Sequence, residues 1–444
     1  MNEPFVGQIA GVGFPLLLCL AALLPAGSAA AGAGPAEVVT VDFSVDLGPA
    51  TYRASGFLHG MSEADPPHQL VAPLKPRLFR DWAPGTDGAF AIYPRVKKLG
   101  ARAQVVLSDS HGYDRDGYWP GDNGDWSQWD QIVEEQVRGA QQRGGVFEWD
   151  IWNEPTVDYF WRRDRAQFFE TWRHTVQKIR AMDPRAVIVG PSLGAYDSKY
   201  IEDFLVYAKS NNALPDILSW HELDSDAAPG FLMIPDGVAD ARALLAKHDI
   251  KIERLCINEI IGPGMLTRPG AAIRYFAALE RARVDGACHA CWDDKDGGVS
   301  GCDNQSLDGL LTHPDRQPRS TWWAYRAYAD VTGRLVEVKP GASVDGVAGH
   351  DDAAKQARIA LGRVAGPAGT VELQLTSLDK VPFLAGRSKV RVTVQRIPMS
   401  GWDALPQPPA AVQQDCPVEG NQAKVELPDF GPDDAYQVTV AAGG

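Results

Sequence analysis

Eight short β-like runs, separated by helix-like stretches, constrain this chain more than any other feature. The runs fall at residues 56–59, 77–81, 103–108, 147–152, 186–191, 217–221, 254–258 and 286–292. Helical periodicity occupies much of the space between and after them, over 126–143, 164–182, 198–211, 236–248, 269–283 and 320–332. Asp164 stands where it can cap the second of these helices. Eight strands alternating with helices over about 280 residues predict a (β/α)8 barrel. An open doubly wound sheet is the alternative. That fold often carries a glycine-rich phosphate loop after its first strand, and here the place is held by His59-Gly60-Met61-Ser62.

The pattern changes after Leu335. Residues 357–364, 370–376, 390–396, 423–427 and 436–441 read as strands with turn residues between them, and 406–409 is a proline-rich loop. We expect a β-sandwich domain over 336–444. Residues 38–47 alternate apolar and polar side chains, so a strand within 32–48 is expected to join that sandwich. The barrel is then expected over 49–335.

Residues 14–24 form an apolar run too short to span a bilayer, followed by small residues over 26–33. This predicts a cleaved export signal over 1–31 and a secreted or periplasmic protein, although no Lys or Arg precedes the run. A retained anchor is the alternative. Cys19 follows Leu18, a poor lipoprotein cleavage context. In an exported protein the neighbouring Cys288, Cys291 and Cys302 are disulfide candidates, with Cys302 expected to pair with Cys291 or Cys288. A zinc site would need a fourth ligand, and only His289 is near. The net charge of −14 argues against nucleic acid. The 13 tryptophans suit carbohydrate stacking, though most are expected in the core.

Two of the predicted strands end alike. One reads Phe147-Glu148-Trp149-Asp150-Ile151-Trp152-Asn153-Glu154, and the other Leu255-Cys256-Ile257-Asn258-Glu259. A carboxylate at the C-terminal end of a barrel strand faces the mouth where chemistry is done. Strands four and seven lie across that mouth from each other. Two facing carboxylates are the minimum machinery for cleaving a glycosidic bond: one protonates the leaving oxygen, the other attacks or stabilises the anomeric carbon. Arg80, ending the second strand, is placed to favour an ionised nucleophile, with an ion pair to Asp81 as the alternative. Trp292, ending the eighth strand, is a candidate platform under the sugar. His111 and His59, after strands three and one, are further candidates.

Trp152-Asn153-Glu154-Pro155 resembles the acid/base motif of the clan of retaining glycosidases built on (β/α)8 barrels. Within that clan the chain is similar to glycoside hydrolase family 39, which includes β-xylosidases, α-L-iduronidases and bacterial exopolysaccharide hydrolases. Ile217-Leu218-Ser219-Trp220-His221 resembles the family's sixth strand, and Ser320-Thr321-Trp322-Trp323-Ala324-Tyr325 its last barrel helix. The resemblance implies Glu154 as general acid/base and Glu259 as nucleophile. It also implies that Asn153 donates to the sugar 2-hydroxyl and that His221 sits beside the nucleophile. The chain departs from the family after His221, where Glu222-Leu223-Asp224 replaces the usual aromatic residues. Glu222 is therefore a candidate for binding sugar hydroxyls, and specificity is expected to differ from a typical xylosidase.

The mechanism calls for no cofactor and no metal. Asp293-Asp294-Lys295-Asp296-Gly297 lacks the spacing and terminal Glu of a calcium loop. The expected partner is a polysaccharide or oligosaccharide, with neither nucleic acid nor membrane engaged after signal cleavage. Rival readings are a non-catalytic carbohydrate-binding barrel, a transglycosylase using the same residues, and an inverting hydrolase.

Overall fold

A computed structural model of the chain describes residues 37–83, 88–113, 117–224, 229–293 and 300–443. The expected export signal, Cys19 and residues 294–297 of the acidic loop lie outside the described residues. Strand β1 (Glu37–Pro49) leads into a closed barrel of eight parallel strands. These are β2 (Gly56–Phe57), β3 (Leu78–Asp81), β4 (Arg102–Val106), β5 (Glu148–Asp150), β6 (Val187–Leu193), β7 (Ile217–Glu222), β8 (Arg254–Ile260) and β9 (Gly286–His289). Phe57 pairs with His289 and closes the ring. The helices are α1 (His68–Val71), α2 (Ala89–Lys98), α3 (Leu107–His111), α4 (Ser127–Gln142), α5 (Arg165–Met182), α6 (Ser198–Ser210), α7 (Ile234–Lys247), α8 (Pro269–Ala282) and α9 (Ser320–Ala329).

The eight expected strands are present, and so are the six expected helices. Asp164 caps α5 by accepting from Gln167 N at 2.8 Å. Helix α2 was not among the expected helices, and Pro94 lies in its middle. Its buried Ala89, Ile92 and Val96 nevertheless recur at helical spacing and dock it on the barrel. The third run was expected to stay extended through Ser108. It turns into α3 after Val106 instead, which brings Ser108 and Asp109 to the mouth end of the barrel.

Leu78, Val189, Ile217, Cys256 and Cys288, from five barrel strands, form a small apolar cluster separate from the main core. Outside the strand ring, their alternating neighbours pack against the helices. Trp119, Trp129, Trp152, Trp172 and Trp220 are fully buried, so tryptophan is here mainly a packing residue.

The remaining strands are β10 (Arg334–Lys339), β11 (Val344–Asp351), β12 (Gln356–Arg363), β13 (Gly369–Thr376), β14 (Lys389–Ile397), β15 (Val412–Pro417), β16 (Ala423–Phe430) and β17 (Ala435–Ala442). With β1 they form one nine-stranded sheet in the order β15-β14-β17-β12-β11-β10-β1-β13-β16. Strand β1 runs antiparallel to β10 and parallel to β13. The two ends of this order come back into contact, so the sheet curls around its own apolar core of Val39, Val41, Leu373, Val392, Val425 and Val438 among others.

Helix α8 is buried on nearly every face because it lies between the barrel and this sheet. The approach requires glycine on both sides. A Cβ on Gly270 would meet Arg363 O at 2.1 Å, and one on Gly362 would meet Gly270 O at 2.2 Å.

Candidate active site

The C-terminal ends of β3, β5, β6, β7 and β8 converge on one polar cluster. Beyond β5 the chain turns sharply, and Glu154 adopts φ +48°, a left-handed conformation unusual for a residue with a side chain. Such backbone costs on the order of 1–3 kcal/mol and persists only where its surroundings hold it. Glu154 N donates to Ser192 O at 2.9 Å, and Val157 N donates to Glu154 O at 2.9 Å. Gly194 leaves the room the carboxyl needs, since a Cβ there would stand 3.2 Å from Glu154 Oε1 and 2.8 Å from Val157 Cγ2.

Arg80, buried at the end of β3, organises the opposite side. Its Nε donates to Asp150 Oδ2 at 2.8 Å, Nη1 to Glu259 Oε1 at 2.7 Å, and Nη2 to Asn153 Oδ1 at 2.8 Å. The fork of a guanidinium suits three acceptors in fixed directions. Despite its burial, the carboxylates Asp150 and Glu259 raise its pKa, so the cation is held firmly. Asp81 pairs elsewhere, with His59 Nδ1 at 2.7 Å. The alternative Arg80–Asp81 pair is therefore not formed. Because Arg80 occupies Asn153 Oδ1, the Asn153 amide NH2 is the group left to donate to a ligand.

His221, next to last in β7, is in register with Glu259 on β8. It is fully buried, and its Nδ1 lies 2.8 Å from Glu154 Oε1 and 3.7 Å from Glu259 Oε2. One ligand atom from each of Glu154, His221 and Glu259 falls within 4.8 Å of the other two. That spacing could also hold a cation, although Arg80 already binds one oxygen of Glu259. Burial pushes the Glu154 carboxyl up, but the His221 hydrogen bond and charge, with the charge of Arg80, carry it below its ordinary value. The imidazole and the Glu154 carboxyl are joined by one hydrogen bond, His221 Nδ1 to Glu154 Oε1.

Trp292 is half-buried beyond β9, its Nε1 donating to Ile261 O at 2.9 Å. His111 joins an aromatic cluster with Tyr118, Trp119, Trp129 and Trp152 and makes no hydrogen bond to either glutamate. Glu222 departs from expectation. Side chains alternate along a strand, so with His221 facing the mouth Glu222 faces the helix layer. There it accepts from Trp220 Nε1 at 2.8 Å and lies against Gly237 of α7. Burial raises its carboxyl to about 7. The disulfide joins Cys291 to Cys302, whereas Cys288 is a buried free thiol in the lumen cluster.

Sequence reasoning missed the layer beneath the glutamates. Asp150 also accepts from Ser192 Oγ at 2.8 Å and from Asn258 Nδ2 at 2.9 Å, and Ser192 meets Ser219 Oγ at 2.8 Å. Asp109 was missed as well, although an acidic residue directly after a barrel strand is a signal in itself. His59, stacked on Trp82, is kept neutral by burial and the Arg80 charge, its pKa pushed down to about 3.

Comparison with known proteins bears on the family and the fold. The model of glycosyl hydrolases family 39 matches residues 111–248, a segment containing Glu154 and His221. A 3-O-beta-L-arabinopyranosyl-alpha-L-arabinofuranosidase of Bifidobacterium pseudocatenulatum is 26% identical over 251 residues, covering 53% of this chain and 24% of the relative. The chain thus spans about a quarter of that relative's length. The structure of N2152 from Neocallimastix frontalis matches with a TM-score of 0.78 and 25% identity, covering 92% of this chain and 100% of the other. The GH39 enzyme of Xanthomonas axonopodis pv. citri shares the fold, with a TM-score of 0.64 at 15% identity over 94% of this chain and 100% of that one. The centre of the chain therefore carries the sequence signature of glycosyl hydrolases family 39, on a fold it shares with an enzyme of that family.

Proposed function

We propose that the chain is a secreted, retaining glycoside hydrolase that cleaves O-glycosidic bonds of a polysaccharide or oligosaccharide by double displacement. The observation that carries this is the meeting of Glu154 and Glu259 oxygens within 4.8 Å across His221. Retaining enzymes hold their carboxyl groups about 5–5.5 Å apart, whereas inverting ones leave about 6.5–9.5 Å for a water.

Arg80 fixes Glu259 Oε1, which leaves Oε2 to attack the anomeric carbon. As that bond forms, the glycosidic C–O bond breaks, and the Glu154 carboxyl gives its proton to the leaving oxygen. Water then returns a proton to Glu154 as its oxygen displaces Glu259. The Asn153 amide donates to the 2-hydroxyl, where charge development strengthens the bond. Trp292 offers its face to the glycone. The name of the Bifidobacterium relative favours an arabinoside. We read the curled sheet as a β-sandwich that braces the barrel through α8. Among the described residues no helix is long and apolar enough to cross a membrane.

A panel of aryl glycosides, followed by proton NMR of the first-formed sugar, tests this reading. It predicts turnover with retained anomeric configuration, and loss of turnover in Glu259→Gln. Inverted product would refute it, and so would a folded protein that binds glycan without turnover. Transfer to an added sugar acceptor in preference to water would make it a transglycosylase.

A further inference from the structure

Asp109, just past β4, has no part in the mechanism above. One of its oxygens accepts the Tyr113 hydroxyl. That hydroxyl also meets Ser108 Oγ at 2.8 Å, and Ser108 Oγ accepts from Asn153 N at 2.9 Å. The Asp109 carboxylate is thus tied through two hydroxyls to the peptide bearing Asn153 and Glu154. It stands close enough to the clamp for its charge to act on Arg80, and for Asp150 and Glu259 to act on it. Arg80 makes no hydrogen bond to it; its three nitrogens donate to Asp150, Glu259 and Asn153. The second oxygen, Oδ2, accepts no hydrogen bond among the described residues, and the residue is half-buried. A half-buried carboxylate with a free acceptor and no paired cation among the described residues calls for a donor. Burial, with the Asp150 and Glu259 charges adding to it, raises this carboxyl to about 6.

We propose that Asp109 Oδ2 receives a hydroxyl of the sugar seated over Arg80 and Glu259, and that it makes this pocket selective for a neutral sugar over a uronic acid. The inference rests on the hydrolase reading. A sugar carboxylate placed here would face Asp109, Asp150 and Glu259 with no uncommitted cation among the described site residues. Arg115 and Lys295 lie outside the described residues, each between two aspartates in sequence, Asp114 and Asp116 or Asp294 and Asp296.

The test pairs Asp109→Ala and the isosteric Asp109→Asn with the best aryl glycoside of the panel, its singly deoxygenated analogues and its uronide. For the wild type, one deoxy position is expected to lower kcat/KM by about 10- to 100-fold, the worth of a hydrogen bond to a charged acceptor. In Asp109→Ala that penalty disappears and in Asp109→Asn it shrinks, while penalties at other positions persist. The ratio of uronide to neutral turnover rises in both. Unchanged penalties at every position in the folded Asp109→Asn variant would overturn the proposal, as would wild-type turnover of the uronide at the neutral rate. A wild type inactive on every glycoside, the uronide included, refutes the underlying hydrolase reading instead, and the inference falls with it.

Discussion

Glu222→Gln should stabilise the protein at alkaline pH and leave it unchanged in acid. Glu222 is buried between β7 and α7, with the Trp220 indole as its hydrogen-bond donor. Burial raises its carboxyl from an ordinary 4.5 to about 7, against the smaller opposing effects of Trp220 and His221. A carboxyl raised on folding is protonated more readily in the native than in the unfolded chain. Wild-type stability therefore falls as pH rises from about 4.5 to about 7, and the deficit is complete above that range. At about 1.4 kcal/mol per pH unit, the gap amounts to roughly 3 kcal/mol. Glutamine keeps an acceptor for Trp220 and carries no charge to desolvate. Melting curves of the two proteins should coincide near pH 4.5 and separate by on the order of 3–4 °C at pH 8 for a chain of this size. A constant difference across that range, or a less stable variant at pH 8, would refute the assignment of Glu222 as a buried, easily protonated acid.

Four further outcomes follow from the packing. Arg80→Leu should destabilise by about 3–5 kcal/mol in a denaturant titration, because it leaves Asp150 and Glu259 as uncompensated buried carboxylates. Arg80→Lys should fold better yet lose most activity, since one ammonium cannot serve three acceptors. Gly194→Ala should lower kcat by roughly 10- to 100-fold with little change in melting, because its methyl crowds Glu154 Oε1 and displaces the acid by a fraction of an ångström. Gly270→Ala should cost at least about 1–3 kcal/mol in thermal or urea unfolding without altering KM, since its methyl strikes the Arg363 carbonyl of the sheet.

The sequence made the barrel legible because strand and helix periodicities alternate cleanly along it. Glu154 and Glu259 were legible because each follows Asn at the end of an apolar run. Arg80 was placed correctly beside Glu259, but its links to Asp150 and Asn153 depend on three strands meeting in the lumen, which no local pattern records. Asp150, Ser192 and Asn258 were hidden for the same reason: as single polar residues in strand-like runs, they show their purpose only when the ring closes. Glu222 could have been placed from alternation, since its neighbour His221 was already assigned to the mouth. Strands β10, β11 and β15 escaped notice because charged or glycine residues interrupt their apolar pattern. Helix α2 shows packing of Ile92 and Val96 overriding the signal of Pro94.

The account turns on a covalent bond between the anomeric carbon and Glu259. Incubating the protein with a 2-deoxy-2-fluoro glycoside of its preferred sugar, digesting it and sequencing the labelled peptide by mass spectrometry tests that bond directly. The fluoro-sugar should be found on Glu259, in the peptide containing residues 254–260. A label on Glu154 or Asp109, or complete turnover with no trapped sugar and inverted product, would contradict the account.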